Sequence, residues 1–315
     1  MSGTVALTGA SGFLGRHLVR HFRAAGWRVR ALLRRPGAFD PEPGLDPVEG
    51  HIGDAGALAA LVEAADVVVH CAGLTKAPSR AAFRAVNVEG TERAMAAALA
   101  RRPLPRFIHI SSLAAREPHL SDYAASKRDA EEVLLRQGRD LEWMAVRPPA
   151  IYGPGDREIL PLFRLLNRGL VPVPGPADAE RRLSLMYVDD VAAAVTAMLT
   201  ADLPAQRIFE IGGPEPGGHS WPAIVAAGGR LFGRKVRAVP VPKAVMNLAA
   251  KANMVRCRLT GESPMMTPGK VNELFHVDWV ARDNPLTDWC AWQASVGLED
   301  GFARTLAWYR ENHLL

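Results

Sequence analysis

The segment Thr8-Gly9-Ala10-Ser11-Gly12-Phe13-Leu14-Gly15 constrains this chain more than any other. It follows the apolar run Val5-Ala-Leu7 and opens into Leu14 to Ala25, where apolar residues recur at helical spacing. Glycine at 9 permits a tight turn, and glycine at 12 removes the Cβ that would hold backbone away from a diphosphate. Glycine at 15 lets helix and strand pack closely, and the free N–H groups of the first helical turn face bound phosphate with the positive end of the helix dipole. Between a first strand and a first helix, such a loop predicts a dinucleotide cradle built from Gly9, Ser11, Gly12, Phe13, Leu14 and Gly15.

Strand-like and helix-like stretches alternate from there to Gln137. Trp27 to Leu33 reads as extended, Ala57 to Ala65 as helical, and Val67-Val-Val69 as a strand buried on both faces. Asn87 to Arg102 is an Ala-rich helix stopped by Pro103, Phe107 to Ile110 a strand, and Ser121 to Gln137 a further helix. The alternation predicts right-handed crossovers and an α/β fold with a doubly wound parallel sheet. After Arg147, proline and glycine crowd into 147–156, 170–176 and 212–218, which predicts a smaller, irregular C-terminal substrate lobe. The expected division is 1–150 for a dinucleotide-binding Rossmann domain and 151–315 for a substrate-binding lobe. Residues 184–212 return to the first domain through the helix Ala192 to Leu199 and the strand Ile208 to Ile211.

With 315 residues, 48% of them hydrophobic, the chain can bury a core without metal or disulfide staples. Cys71, Cys257 and Cys290 fit no ligand spacing and read as packing thiols of a reducing compartment, so no metal is expected. The net charge of +5 is dispersed among arginines with no basic run or aromatic ladder, which sets nucleic acid aside as a partner. No apolar run reaches membrane-spanning length, and the chain enters its first strand at Thr4 with no signal peptide. The expectation is a cytoplasmic enzyme working on a small-molecule substrate, with room for a homodimer.

The second strand ends at Arg34-Arg35, about 20 positions beyond the glycine loop, where a carboxylate would hold the adenosine ribose hydroxyls. A carboxylate repels a 2′-phosphate and a guanidinium pairs with it, so Arg34 favours NADP(H), with NAD(H) as the alternative. Both arginines could equally lie on a solvated loop. His51-Ile-Gly-Asp54 reads as the end of the third strand, Asp54 placed to accept from the adenine amino group and equally to cap the next helix, two roles that are compatible. The fourth strand ends in His70-Cys71-Ala72-Gly73, small residues over which a cofactor could cross the sheet edge, with His70 and Cys71 as packing residues.

Tyr123 and Lys127, four apart on a predicted helix, share one face. A phenol with a pKa near 10 is a poor proton-transfer group at neutral pH, and an ammonium one turn away favours the phenolate. Ser111-Ser112 closes the preceding strand and offers a hydroxyl to polarise a carbonyl.

These motifs resemble the extended short-chain dehydrogenase/reductase family. So do Asn87-Val-Glu-Gly-Thr91, Arg147-Pro-Pro-Ala-Ile-Tyr-Gly-Pro-Gly-Asp156, Tyr187-Val-Asp-Asp-Val191 and Gly301-Phe…Trp308-Tyr-Arg310, and the resemblance covers nearly the whole chain. That family includes nucleotide-sugar epimerases and dehydratases and 3β-hydroxysteroid dehydrogenase-like enzymes. The resemblance implies Tyr123 as proton donor and acceptor, Lys127 as its tuner and a ribose ligand, and Ser112, chosen over Ser111 by its distance from the strand end, as the carbonyl-orienting hydroxyl. It also puts Asn87 in the helix supporting the site, and Pro148 and Pro149 beside the nicotinamide. Leu113-Ala114 stand where the sugar dehydratases carry an acidic pair, and Ala114-Ala-Arg116 replaces the Val-Tyr-Gly of sugar epimerases. The expected function is NADP(H)-dependent hydride transfer between nicotinamide and a carbonyl/alcohol substrate. The alternatives are a nucleotide-sugar epimerase with bound NAD(P) and a non-catalytic dinucleotide-binding accessory subunit of a larger complex.

In the C-terminal lobe, apolar positions at helical spacing along 240–254 have Lys243, Lys251 and Arg256 beside them. With Met265-Met266 they read either as a pocket for a lipid-like ketone or as ordinary core. Arg181 and Arg182 read as a grip on a sugar diphosphate or as a solvated loop, and His276 to Trp279 as a pocket wall.

Overall fold

A computed structural model describes residues 3–35, 37, 39, 42–175, 180–260, 264 and 266–315. In chain order the first elements are β1 (Thr4–Thr8), α1 (Phe13–Ala24), β2 (Arg28–Leu33), β3 (Leu45–Glu49), α2 (Ala55–Val62), β4 (Val67–His70), α3 (Arg80–Phe83), α4 (Glu89–Leu99), β5 (Arg106–Ile110), α5 (Asp122–Gln137) and β6 (Trp143–Arg147). There follow β7 (Ala150–Tyr152), α6 (Leu160–Arg168), β8 (Leu170–Pro174), β9 (Arg182–Leu183), β10 (Leu185–Tyr187), α7 (Val188–Met198), β11 (Arg207–Glu210) and β12 (His219–Ser220). The last are α8 (Trp221–Leu231), β13 (Arg237–Val241), α9 (Lys243–Thr260), α10 (Pro268–Phe275), β14 (Asp278–Trp279) and α11 (Leu298–Glu311).

The chain forms two compact units. The first comprises Met1–Arg147, Ala192–Ile211 and Asp283–Trp292, the second Pro148–Val191, Gly212–Arg282 and Gln293–Leu315. Residues 184–191, read from sequence as returning to the first domain, thus fall in the second unit, and 283–292 fall in the first. The backbone shows why: Glu210 bridges to Pro285, the Asn284 side chain donates to Ile208 O at 2.8 Å, and Glu210 accepts from Asp283 N.

The first unit is built on a seven-stranded sheet in the order β11-β6-β5-β4-β1-β2-β3, every neighbouring pair parallel. The chain runs outward from β1 through β2 to β3, then returns to β4 on the other side of β1. This reversal opens a crevice at the carboxyl ends of β1 and β4, the place where such sheets take their ligands. β4, Val-Val-Val-His, is buried throughout because helices cover both sheet faces. Its Val68 belongs to one buried core with Phe107, Trp143, Leu58, Leu61 and Met95, all at most 1% exposed. A fully buried side chain of this size contributes up to about 3 kcal/mol of transfer free energy.

Two local readings need correction. The third strand ends at Glu49, so His51–Asp54 is a turn rather than the end of that strand. β3 is the sheet edge, where Pro47 is tolerated because the outer N–H groups have no strand to pair with. Asn87 does not start a regular helix either: the chain makes a wide π turn over Arg84–Val88 before α4 begins at Glu89.

The second unit carries three small sheets, β10-β7, β12-β9-β14 and β13-β8. Its core is aromatic, with Phe163 centred 5.0 Å from Phe302 and 5.2 Å from Tyr309, and Tyr152 edge-on to Phe302 at 5.4 Å. The apolar positions of α9 do not join this core. Val245 and Leu248 are exposed, which corrects the core reading at those positions; Met265, part of the pocket reading, lies outside the described residues. Among the described residues, no helix is long and apolar enough to cross a membrane.

Candidate active site

β1 and β4 pair with Thr8 opposite His70, so the glycine loop and Cys71-Ala72-Gly73 leave the sheet side by side. Gly9 has φ +75°, and a Cβ there would lie 2.7 Å from Ala72 N and 2.8 Å from the Cys71 carbonyl carbon. At Gly15 a Cβ would overlap the Gly9 carbonyl oxygen. The two turns therefore approach as closely as bare backbone allows. Gly12 N donates to Gly9 O, and α1 starts with no side-chain cap and no acidic residue in its first turn. Its N-terminal dipole is unopposed, which suits an anionic group. Ser11 and Phe13 are half-buried on this turn, and Leu14 is buried beneath it.

A relay of hydroxyl and imidazole ties the two turns to α4. Thr91 Oγ1 donates to Asn87 O at 2.7 Å and so accepts from His70 Nε2, 3.1 Å away. His70 Nδ1 then accepts from Thr8 Oγ1 at 2.8 Å, and Thr8 Oγ1 in turn accepts from Ala72 N. This network assigns the Nε2–H tautomer. Burial, with Lys127 nearby, pushes His70 down to about 3, so the ring is neutral and structural. His109 stacks on it at 5.4 Å and is also held well below the usual imidazole range by burial. Burial raises the Cys71 thiol to about 12, in keeping with a packing residue and not a nucleophile.

Asn87 sits in the π turn and clamps the loop after β4 to α5. Its Oδ1 accepts from Leu74 N at 2.7 Å, and its Nδ2 donates to Leu74 O and to Ser126 Oγ. Ser126 Oγ donates to the carbonyl of Tyr123, completing a link from the crevice to the first turn of α5. A Cβ on Gly73 would lie 3.4 Å from Asn87 Oδ1 and 4.0 Å from Lys127 Nζ, so the loop, the amide and the ammonium converge. The Tyr123 ring is half-exposed and lies 6.0 Å from that of Phe83, centre to centre. Lys127 is 6% exposed and donates to Ile110 O at 2.6 Å. Burial lowers its pKa to about 8, against the opposing pull of Cys71 and of Glu131 one turn further along α5.

The serine pair divides its work. Ser111 is buried and donates to Glu131 Oε1 at 2.6 Å, and Glu131 also receives Arg147 Nε at 2.8 Å and Nη2 at 2.7 Å. Ser112 is half-buried, and its Oγ accepts from Ala114 N, capping the single turn Leu113–Arg116. Among the described residues its hydroxyl donates to no protein acceptor.

Arg34 is exposed immediately beyond β2, as is Arg35. Sequence reasoning overlooked Arg16, which follows Gly15 and lies with its guanidinium 5.0 Å over the Phe39 ring, in the loop that Arg34 begins. A basic residue directly after the third glycine was the available signal. Asp54 caps α2, its Oδ1 accepting from Ala57 N at 3.0 Å. Pro148 follows β6 directly and opens the second unit. There, Asp190 accepts from Ser295 and Val296 N–H groups, so the Tyr187–Val191 motif anchors backbone. Arg181 is occupied by Pro174 O and the Phe275 ring. His276 stacks on Trp279, whose Nε1 donates to Glu273 O.

A sequence profile of the NAD dependent epimerase/dehydratase family matches residues 5–212. The chain is 39% identical over 310 residues to the ceramide reductase of Caulobacter vibrioides, covering 98% of this chain and 95% of the relative. It is 34% identical over 175 residues to the 4-hydroxy-2-methyl-3-oxo-4-farnesyl-3,4-dihydroquinoline-1-oxide ketoreductase of Stigmatella aurantiaca, covering 49% and 52%. The solved structure of MoeE5 in complex with UDP-glucuronic acid and NAD shares the fold, with a TM-score of 0.73 at 23% identity over 98% of this chain and 100% of that one.

Proposed function

The chain belongs to the NAD dependent epimerase/dehydratase family and is an NAD(P)-dependent oxidoreductase, and from that premise we propose that it reduces the ketone of a long-chain, ceramide-like lipid at the expense of NADPH. The observation that carries this reading is the 39% identity, maintained over 98% of the chain, to a ceramide reductase.

The fit to a dinucleotide is tested by the glycine loop, where side chains at Gly9 or Gly15 would fill the space against Cys71-Ala72 and the Gly9 carbonyl. Gly9, Ser11, Gly12, Phe13, Leu14 and Gly15 would hold the diphosphate, and Cys71, Ala72 and Gly73 would line its path. Asp54 would meet the adenine, and Pro148 the nicotinamide. Arg34 would pair with the 2′-phosphate, aided by Arg16, in a role a carboxylate could not fill. When bound, the nicotinamide supplies the hydride.

The remaining steps belong to the chain's own residues. Ser112, whose proton reaches no acceptor among the described residues, hydrogen-bonds the substrate carbonyl, while Ser111 is held by Glu131. Tyr123 gives its phenolic proton to the oxygen as the carbon is reduced, and solvent restores it. Lys127 stabilises the transient phenolate. One of its three N–H donors is fixed on Ile110 O, which leaves two for the phenol and the cofactor ribose. Asn87 positions both by pinning α5 through Ser126. Leu113 and Ala114 are buried and carry no acid or base, which leaves an elimination of water without its proton carriers.

The test is a substrate panel: a long-chain N-acylated ketone, a short water-soluble ketone and UDP-glucose, each offered with NADPH and with NADH. Net NADPH consumption with the lipid ketone is expected. Interconversion of the nucleotide sugar with no net consumption of either cofactor would overturn the reading in favour of an epimerase.

A further inference from the structure

The described residues of the chain include nine large hydrophobic side chains that stand exposed, and four of them, Val245, Leu248, Val255 and Leu259, lie on α9. They are 55%, 71%, 56% and 84% exposed, more than the solubility of a monomer would favour on one element. With exposed Ala252 they fall at successive spacings of three, four, three and four. At about 100° per residue these five positions occupy an arc of roughly 80°, over a length of about 21 Å.

The opposite side of the helix is the one the protein uses. Ala250 and Cys257 are buried, and Asn253 Nδ2 donates to Met266 O at 3.1 Å. Ala250 and Cys257 lie about half a turn of the helical wheel from the centre of the apolar arc and Asn253 about a third of a turn, so the fold holds the stripe outward. Lys251 and Arg256, both exposed, fall just outside the two edges of the arc, and α9 contains no Asp or Glu. An apolar arc between basic margins, on a helix unable to span a bilayer, is the pattern of a helix lying in a membrane interface. A second copy of the chain fits worse. Two heptads are short for a coiled coil, and the basic margins would meet each other with no acidic partners on the helix.

We propose that α9 docks the protein on an anionic lipid surface, with Val245, Leu248, Ala252, Val255 and Leu259 entering the headgroup–acyl boundary and Lys251 and Arg256 pairing with lipid phosphates. A membrane-held substrate of the kind proposed above would give the docking its use. Vesicle sedimentation involves no turnover, however, so failure of one reading leaves the other measurable.

The experiment is co-sedimentation of the full chain with vesicles of phosphatidylcholine alone and of phosphatidylcholine mixed with phosphatidylglycerol. The wild type should pellet with the mixed vesicles and release at high salt. Leu248→Glu/Leu259→Glu should partition at least about tenfold less, and Lys251→Glu/Arg256→Glu should lose the preference for the anionic lipid. All four side chains are exposed, so melting temperature and reduction of a soluble ketone should match the wild type. A wild type that stays in the supernatant with both vesicles, or pellets equally with both, would overturn the proposal. So would a native mass showing a dimer that Leu248→Glu/Leu259→Glu converts to a monomer, since the stripe would then be covered by a second copy.

Discussion

Lys127→Met should make the protein more stable and inactive at once, and the stability gain should depend on pH. Burial holds Lys127 at about 8, against an ordinary value of 10.5. That difference corresponds to about 3 kcal/mol of folding free energy lost when the ammonium is charged at neutral pH. Methionine fills a similar volume but leaves Ile110 O without its donor, at a cost of about 1–2 kcal/mol. The net gain at pH 7 is about 1–2 kcal/mol, or a melting point higher by about 2–4 °C in a chain of this size. The folded pKa lies below the unfolded one, so the unfolded chain binds more protons between about 8 and 10.5. The wild type therefore gains stability from this group as pH rises through that window, and the advantage of Met shrinks and then reverses. Thermal melts of the cofactor-free proteins at pH 7 and above pH 9, with turnover assays, check this. A variant destabilised equally at both pH values would refute the buried-charge account, and retained turnover would refute the catalytic one.

Tyr123→Phe should reduce turnover by about 10²–10⁴-fold while NADPH affinity, read by fluorescence titration, stays nearly unchanged; retained turnover would remove the proton-transfer role. Arg34→Asp should lower the NADPH/NADH ratio of kcat/KM by about 100-fold, with Arg16→Ala having a smaller effect in the same direction, and an unchanged ratio would remove the 2′-phosphate assignment. Gly9→Ala should cost about 1–3 kcal/mol in a denaturant melt and weaken NADPH binding, because its φ of +75° and the Ala72 backbone 2.7 Å from the added Cβ both oppose the side chain.

What the sequence made legible was written in local sterics. The glycine loop could be read because the approach of two backbones forbids any Cβ, and the buried strands because both of their faces are apolar. Non-local pairing was not legible: that 283–292 belongs with β11 depends on contacts made across more than 70 residues by Asn284 and Asp283. The same holds for the serine pair, where only the fold shows Ser111 committed to Glu131 and Ser112 left with its proton. The π turn that carries Asn87 has no compositional mark distinguishing it from the helix beside it. On α9 the periodicity was plain, but period alone does not say whether an apolar stripe faces core or solvent. Asp54 left two readings open, and its cap on α2 realises one without removing the other.

The central claim is that hydride passes from NADPH to a lipid ketone while Tyr123 supplies the proton. Incubation of the enzyme with a long-chain N-acylated ketone and NADPH carrying deuterium at both C4 positions of the nicotinamide, followed by mass spectrometry of the alcohol, tests it most directly. The account predicts one deuterium on the new carbinol carbon with the wild type, and with Tyr123→Phe the same labelled alcohol formed about 10²–10⁴-fold more slowly. Alcohol without label, or labelled alcohol formed at the wild-type rate by Tyr123→Phe, would contradict it.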